Sequence, residues 1–131
     1  MNHADLVALI EDGARGAGSH WADLGAGEGA FTEALADVLG PPAQIIAVDK
    51  DARALRTIAG RFETRVADFT RPLDLHALDG VLMANSLHFV RDKQPVLASV
   101  RAMLKPGGRL VVVEYGADRG NMWVPYPFSY P

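Results

Sequence analysis

A glycine-rich turn between an apolar run and a helical pattern limits the folds open to this chain more than any other feature. Residues 19–32 read Ser-His-Trp-Ala-Asp-Leu-Gly-Ala-Gly-Glu-Gly-Ala-Phe-Thr. The run His20 to Leu24 predicts a buried strand, and apolar residues beyond the turn recur at helical spacing. Such a turn lies beyond the carboxyl end of its strand, where open α/β sheets bind ligands. We therefore expect a ligand over Gly25 and Gly27, which have no Cβ to block it.

Two ligand classes use a turn of this kind, and the glycines alone do not separate them. Gly25, Gly27 and Ala30 satisfy the dinucleotide pattern G-x-G-x-x-G/A. A pyrophosphate beside Glu28 would meet like-charge repulsion, whereas a ligand with a sulfonium and an ammonium would be attracted to Glu28 and Asp23. The acids therefore favour a methyl donor such as S-adenosylmethionine over a dinucleotide.

The composition sets broad limits on function. The chain has 131 residues, enough for a single domain over residues 1–131. Its net charge of −3 and pI near 5.7 count against nucleic-acid binding. It contains no cysteine, which excludes disulfides and cysteine-based zinc sites, and we predict no metal site. No apolar run approaches the ~20 residues that span a bilayer, so we expect a cytoplasmic protein without membrane contact.

Two further acids end predicted strands. Asp49 ends the strand 44–49 about 20 residues past the glycine turn, where a carboxylate meets ribose hydroxyls; the alternative is a helix cap. Asp68 and Phe69 end a short strand 65–69, where the carboxylate can accept a hydrogen bond from an adenine amine and the ring can lie against the base. The alternative for Asp68 is an ordinary turn residue.

The remaining pattern alternates strands with helices. We predict a doubly wound, mostly parallel α/β sheet with strand order 3-2-1-4-5 and the site at the switch between strands 1 and 4. The predicted helices are 3–13, 29–39, 51–60 and 92–104, and the last two strands are 79–85 and 109–115.

Five motifs together resemble the class I S-adenosylmethionine-dependent methyltransferase family. The resemblance covers roughly residues 3–118. The motifs are the Asp23–Gly29 turn, Asp49, Asp68-Phe69, Asn85 and the run 104–110, Leu-Lys-Pro-Gly-Gly-Arg-Leu. The resemblance implies a donor site made by Asp23, Gly25, Ala26, Gly27, Asp49, Lys50, Asp68, Phe69 and Asn85. In that site the glycines pass under the methionine part, Asp23 holds the turn and the ammonium, and Asn85 faces the substrate.

One departure from the family concerns the C-terminal end. The family adds an antiparallel strand pair after strand 5, which we expect to be lacking after Tyr115. The tail 119–131 is rich in aromatic residues and proline. We therefore expect a truncated chain with strand 109–115 as an exposed edge, or an edge covered by the tail or by a second copy in a homodimer.

The predicted reaction is in-line methyl transfer to a small-molecule acceptor, which needs positioning more than acid–base chemistry. If the acceptor must lose a proton, His88 is the nearest base. The alternatives are an NAD(P)-dependent oxidoreductase, which the glycines and Asp49 permit, and a non-catalytic module that binds the donor.

Overall fold

The fold is a six-stranded sheet with helices on both faces, in a computed structural model that describes residues 1–87, 90–115 and 120–123. The helices are α1 (His3–Ala14), α2 (Ala30–Leu39), α3 (Ala52–Arg56) and α4 (Gln94–Met103). The strands are β1 (His20–Leu24), β2 (Gln44–Asp49), β3 (Glu63–Val66), β4 (Leu78–Ala84), β5 (Leu104–Tyr115) and β6 (Gly120–Trp123). Among the helices described, none has the length and apolar character needed to cross a membrane.

The strand order is β3-β2-β1-β4-β5-β6. The five strands β1 to β5 pair in parallel, which confirms the predicted doubly wound fold and its order 3-2-1-4-5. The order in which strands are added changes side at β1: β2 lies on one side of β1 and β4 lies on the other. A ligand site is expected at this switch.

One antiparallel strand does follow Tyr115, where we expected the family's strand pair to be lacking. Residues of β6 pair antiparallel with β5, with Met122 beside Val113 and Gly120 beside Tyr115. The edge of β5 is therefore covered by the chain itself over this length, and the predicted homodimer has no need of that edge. The rest of the predicted tail, 124–131, lies outside the described residues.

Three element boundaries differ from the predictions for local reasons. β3 ends at Val66, because Asp68 accepts hydrogen bonds from the backbone and side chain of Thr70 and so forms a turn. α3 is only five residues long and is capped by the side chain of Asp51. β5 already begins at Leu104, which pairs with Leu78.

The core lies on both faces of the sheet because successive strand residues point to opposite sides. Trp21 packs on the α1–α2 face with Ile10 and Leu35. Its neighbour Ala22 packs on the α4 face with Val100. This alternation fixes the register of β1, and with it the position of the glycine turn that follows.

A substitution at Gly80 should destabilise the fold through this core. A Cβ at Gly80 would lie 2.3 Å from the ring of Trp21. That ring is fully buried, and its Nε1 donates a hydrogen bond to the Gly18 carbonyl at 3.2 Å, so it cannot easily move. Gly80→Ala should lower the free energy of unfolding by about 2 kcal/mol, measured by urea denaturation.

The matched control is Gly60→Ala, because a Cβ at Gly60 meets nothing within 4 Å. It should leave stability unchanged or raise it slightly. In a Trp21→Phe background, Gly80→Ala should cost less stability than it does in the unchanged chain, since a smaller ring leaves room for the methyl group. Equal stability of the Gly80 and Gly60 variants would contradict the packing argument.

Candidate functional site

The glycine turn after β1 is held tightly against the ends of β2 and β4. Gly25 has φ +83°, and its N–H and that of Ala26 both donate to the Val48 carbonyl, at 2.8 and 2.9 Å. A Cβ on Gly25 would lie 2.6 Å from the Cβ of Ser86. Ser86 is buried, and its hydroxyl donates to the Leu24 carbonyl at 3.0 Å. Only glycine fits Gly25's position without displacing its surroundings.

Asp49 ties the glycine turn to the start of α3. Its Oδ2 accepts a hydrogen bond from the Gly27 N–H at 2.9 Å, and its Oδ1 accepts one from the Asp51 N–H at 2.8 Å. Each carboxylate oxygen can accept more than one hydrogen bond. The side chain is therefore fixed in place and still able to bind a diol.

A second carboxylate lies in the turn after β3. Asp68 accepts hydrogen bonds from the Thr70 hydroxyl at 2.7 Å and from the Thr70 N–H at 2.9 Å. These bonds, first the side-chain one, hold the pKa of Asp68 below its usual value, with smaller contributions from the positive charges of Lys50 and Arg71. Asp68 is thus an ionised hydrogen-bond acceptor at neutral pH.

These elements enclose one cleft at the carboxyl ends of the strands, with a volume of about 490 Å³. Six predicted residues line it: Gly25, Asp49, Lys50, Asp68, Phe69 and Asn85. Four further residues line it that the predicted site did not include: Ala67, Thr70, Ser86 and Val90. Thr70 was detectable, because Asp-x-Thr is a pattern typical of a side-chain-capped turn. Ser86 and Val90 carried no such signal.

Asn85 presents an unsatisfied acceptor at this cleft. Its φ is +57°, which favours Asn among non-glycine residues. Its N–H donates to the Val113 carbonyl, which fixes the backbone at the end of β4. Its Oδ1 is buried and accepts no hydrogen bond within the described part of the chain. Buried polar atoms are almost always paired, so this oxygen is suited to a donor group on a ligand.

Asp23 lies beneath the glycine turn and is not among the residues that line the cleft. It is 1% exposed, and its Oδ2 accepts a hydrogen bond from the Thr32 hydroxyl at 2.7 Å. Burial, reinforced by the negative charge of Asp49, raises the pKa of Asp23 to about 7 despite the Thr32 bond. Its carboxyl group therefore holds the turn to α2 and changes charge near neutral pH.

The electrostatic argument from Glu28 is wrong. Glu28 is exposed, and it does not line the cleft. Gly27 and Gly29 on either side of it have positive φ, a turn geometry that the sequence pattern alone does not specify. The carboxylates that do line the cleft are Asp49 and Asp68.

The other predicted site residues take different places. Ala26 is buried, and Gly27 contributes its N–H to Asp49, but neither lines the cleft. His88 lies outside the described residues, so its role stays a prediction.

The sequence matches a family model described as a methyltransferase domain over residues 22–110, which run from β1 into β5. The ubiquinone/menaquinone biosynthesis C-methyltransferase UbiE of Pseudomonas savastanoi pv. phaseolicola is 31% identical over 115 residues, which are 80% of this chain and 45% of that relative. UbiE of Stutzerimonas stutzeri is 31% identical over 116 residues, 81% of this chain and 45% of the relative.

Solved structures agree in fold. Coclaurine N-methyltransferase, solved with N-methylheliamine and S-adenosylhomocysteine, superposes with a TM-score of 0.75 at 20% identity, over 85% of this chain and 35% of that one. The CurJ carbon methyltransferase superposes with a TM-score of 0.68 at 27% identity, over 79% of this chain and 30% of that one. The chain spans about half the length of the curated relatives it matches. The match over β1 to β5, with this sheet order, means that the chain belongs to the class I S-adenosylmethionine-dependent methyltransferase family.

Proposed function

We propose that this chain binds S-adenosylmethionine in the cleft beside Gly25 and transfers its methyl group to a small-molecule acceptor. The observation that carries the proposal is that this cleft combines hydrogen-bond acceptors with an apolar aromatic surface. Asp49, Asp68 and the unpaired Oδ1 of Asn85 supply hydrogen-bond acceptors, and Phe69 supplies an apolar ring face. An adenosyl sulfonium compound carries matching groups: a diol, an amine, an ammonium and a flat base.

Each lining residue has a role that its contacts support. Asp49, already fixed by two backbone N–H groups, is suited to the ribose diol. Asp68 is suited to the adenine amine, with Phe69 and the alkyl part of Lys50 beside the base. Asn85 Oδ1 is suited to the ammonium end, over the backbone of Gly25.

Positioning is the main contribution of the residues below and around the turn. Asp23 fixes the turn from beneath through Thr32, while Ala26 and Gly27 hold it against Val48 and Asp49. The donor supplies an already activated methyl group on sulfur. The chain then needs only to hold the acceptor in line and exclude water, which is how positioning accelerates a displacement.

A small-molecule acceptor is supported by two observations. The UbiE relatives are named as C-methyltransferases of ubiquinone/menaquinone biosynthesis, and ubiquinone and menaquinone are small molecules. The net charge of −3 counts against nucleic acid as the acceptor. Residues 1–131 are proposed to act as one domain, since a single sheet runs through the described residues.

The direct test is calorimetry with S-adenosylhomocysteine and with NAD in separate titrations. We expect saturable binding of S-adenosylhomocysteine and none of NAD. Binding of NAD alone would overturn the proposal in favour of an oxidoreductase. Binding of S-adenosylhomocysteine without turnover over a panel of phenols, quinols and amines would favour the non-catalytic donor-binding module.

Replacing Asp49 should weaken donor binding strongly. Asp49→Asn turns one acceptor oxygen into an NH₂ group that faces the Gly27 or Asp51 N–H, so one backbone hydrogen bond is lost together with the charge. We expect S-adenosylhomocysteine affinity to fall by about 30-fold in calorimetry.

The control for Asp49→Asn is Asp51→Asn. Asp51 caps α3 by accepting from the N–H groups of Arg53 and Ala54, and Asn caps equally well. It does not line the cleft. Its affinity should stay close to that of the unchanged chain, and a comparable loss in both variants would contradict the assigned role of Asp49.

The proposed base is tested by kinetics. If His88 removes a proton from the acceptor, His88→Gln should lower the methylation rate by about 100-fold and abolish its rise across neutral pH. An unchanged rate over that pH range would remove the base role, and the donor site would stand independently of that result.

A further inference from the structure

The outer edge of β3 has backbone groups that point away from the sheet. The Ala67 N–H donates inward, to the Asp49 carbonyl at 3.0 Å. Because backbone groups alternate between the two sides along a strand, the N–H and C=O groups of Thr64 and Val66 point outward. Within the described residues, no strand pairs with this edge. Unpaired edges of this kind are templates for pairing with another strand.

The side chains of β3 carry a pattern that is complementary to itself. Glu63 and Arg65 lie two residues apart on one face, with opposite charges. Glu63 makes no ion pair within the described chain, and Arg65 donates to the Asp74 carbonyl at 3.3 Å, which is uncharged. On the other face Val66 is 58% exposed, one of the few large hydrophobic residues so exposed in the described part.

We propose that a second copy of this chain pairs with this edge in an antiparallel, two-fold arrangement centred on Thr64. In that register each Glu63 lies opposite Arg65 of the other copy, and each Val66 lies opposite Phe62. Thr64 exchanges backbone hydrogen bonds with its own counterpart, which makes Glu63 and Arg65 a non-hydrogen-bonded pair. Side chains approach most closely in such pairs, so the two salt bridges form where the geometry favours them.

Alternative registers are less favourable. Centring the axis on Glu63 or Arg65 places two like charges directly opposite one another, which is destabilising. Centring it on Val66 leaves Glu63 and Arg65 without a partner of opposite charge. Among these registers, the Thr64 register pairs the outward backbone groups and also places Glu63 opposite Arg65. The interface lies at the end of the sheet opposite β6 and does not rest on methyl transfer.

Single cysteines test the register directly, because the natural chain has none. Two residues that form a hydrogen-bonded antiparallel pair have Cα atoms about 5.5 Å apart, within the range that a disulfide spans. Thr64→Cys should therefore form a disulfide-linked dimer under mild oxidation. Val66→Cys is the matched control. Val66 is more exposed than Thr64, but in this register the two Val66 positions of the dimer lie several residues apart along the paired edges. The two cysteines should therefore not cross-link. Equal cross-linking of both variants, or of neither, would overturn the proposal.

Charge reversal gives an independent test by light scattering at increasing protein concentration. Glu63→Arg and Arg65→Glu each place like charges opposite one another, and each should weaken dimerisation by about tenfold or more. The double variant E63R/R65E restores opposite charges and should dimerise like the unchanged chain. Circular dichroism verifies that each variant is folded. A monomeric unchanged chain at all concentrations, or a double variant as weak as the single ones, would refute the interface.

Discussion

Gly25→Ala should abolish measurable binding of S-adenosylhomocysteine, a loss of more than about 100-fold, and should also destabilise the fold. Gly25 adopts φ +83°, a conformation that costs an alanine about 1 kcal/mol. The new Cβ would also lie 2.6 Å from the Ser86 Cβ, so the turn or the end of β4 must move. Both segments line the proposed donor cleft, and a shift of either displaces the surface on which the donor lies. Calorimetry measures the first effect and thermal unfolding the second.

Gly27→Ala separates backbone strain from steric conflict. Gly27 also has a positive φ, +58°, but a Cβ there meets nothing within 4 Å. It should therefore show only the conformational cost, about 1 kcal/mol, in thermal unfolding. Ser86→Gly removes the nearest conflicting atom, but it also loses the hydrogen bond to the Leu24 carbonyl, so the test is a double-mutant cycle. Gly25→Ala should cost less stability in the Ser86→Gly background than in the unchanged chain. An equal cost in both backgrounds would mean that the conflict with Ser86 is not the cause.

The sheet order was predictable from the sequence, and β6 was not. Buried strands such as β4 carry runs of apolar residues, which can be recognised in the sequence without knowing which strands lie beside them. The four residues of β6 have no such run and are held by pairing with β5, a contact that only the folded chain supplies.

The site residues likewise fall into two groups, those predictable from the sequence and those that depend on the folded geometry. Spacing from the glycine turn was enough to predict that Asp49 and Asp68 would reach the cleft, because the carboxyl ends of parallel strands meet at one edge. The directions of Glu28 and Asp23 depended on turn geometry and on depth below the surface. An acid within an apolar strand reads the same in sequence whether it faces a cleft or is buried beneath it.

Asp23 should make the stability of this protein fall as pH rises through the range from about 4 to about 7. Its pKa in the fold is about 7, against 3.8 for the ordinary carboxyl group. The folded state therefore holds this proton over a pH range in which the unfolded chain has lost it. The stabilisation from Asp23 is fully present below pH 3.8 and is lost as pH rises through about 7. Integrated over that range, the loss is about 4 kcal/mol.

Asp23→Asn tests this directly, because an amide cannot ionise and its oxygen can still accept the Thr32 hydrogen bond. The difference in unfolding free energy, variant minus unchanged chain, should rise by about 4 kcal/mol between acidic and mildly basic pH, measured by urea denaturation. Asp12→Asn makes the same chemical change at an exposed position on α1 and is the matched control. Parallel pH curves for Asp23→Asn and the unchanged chain would mean that folding leaves the pKa of Asp23 unchanged, which would contradict the role of burial.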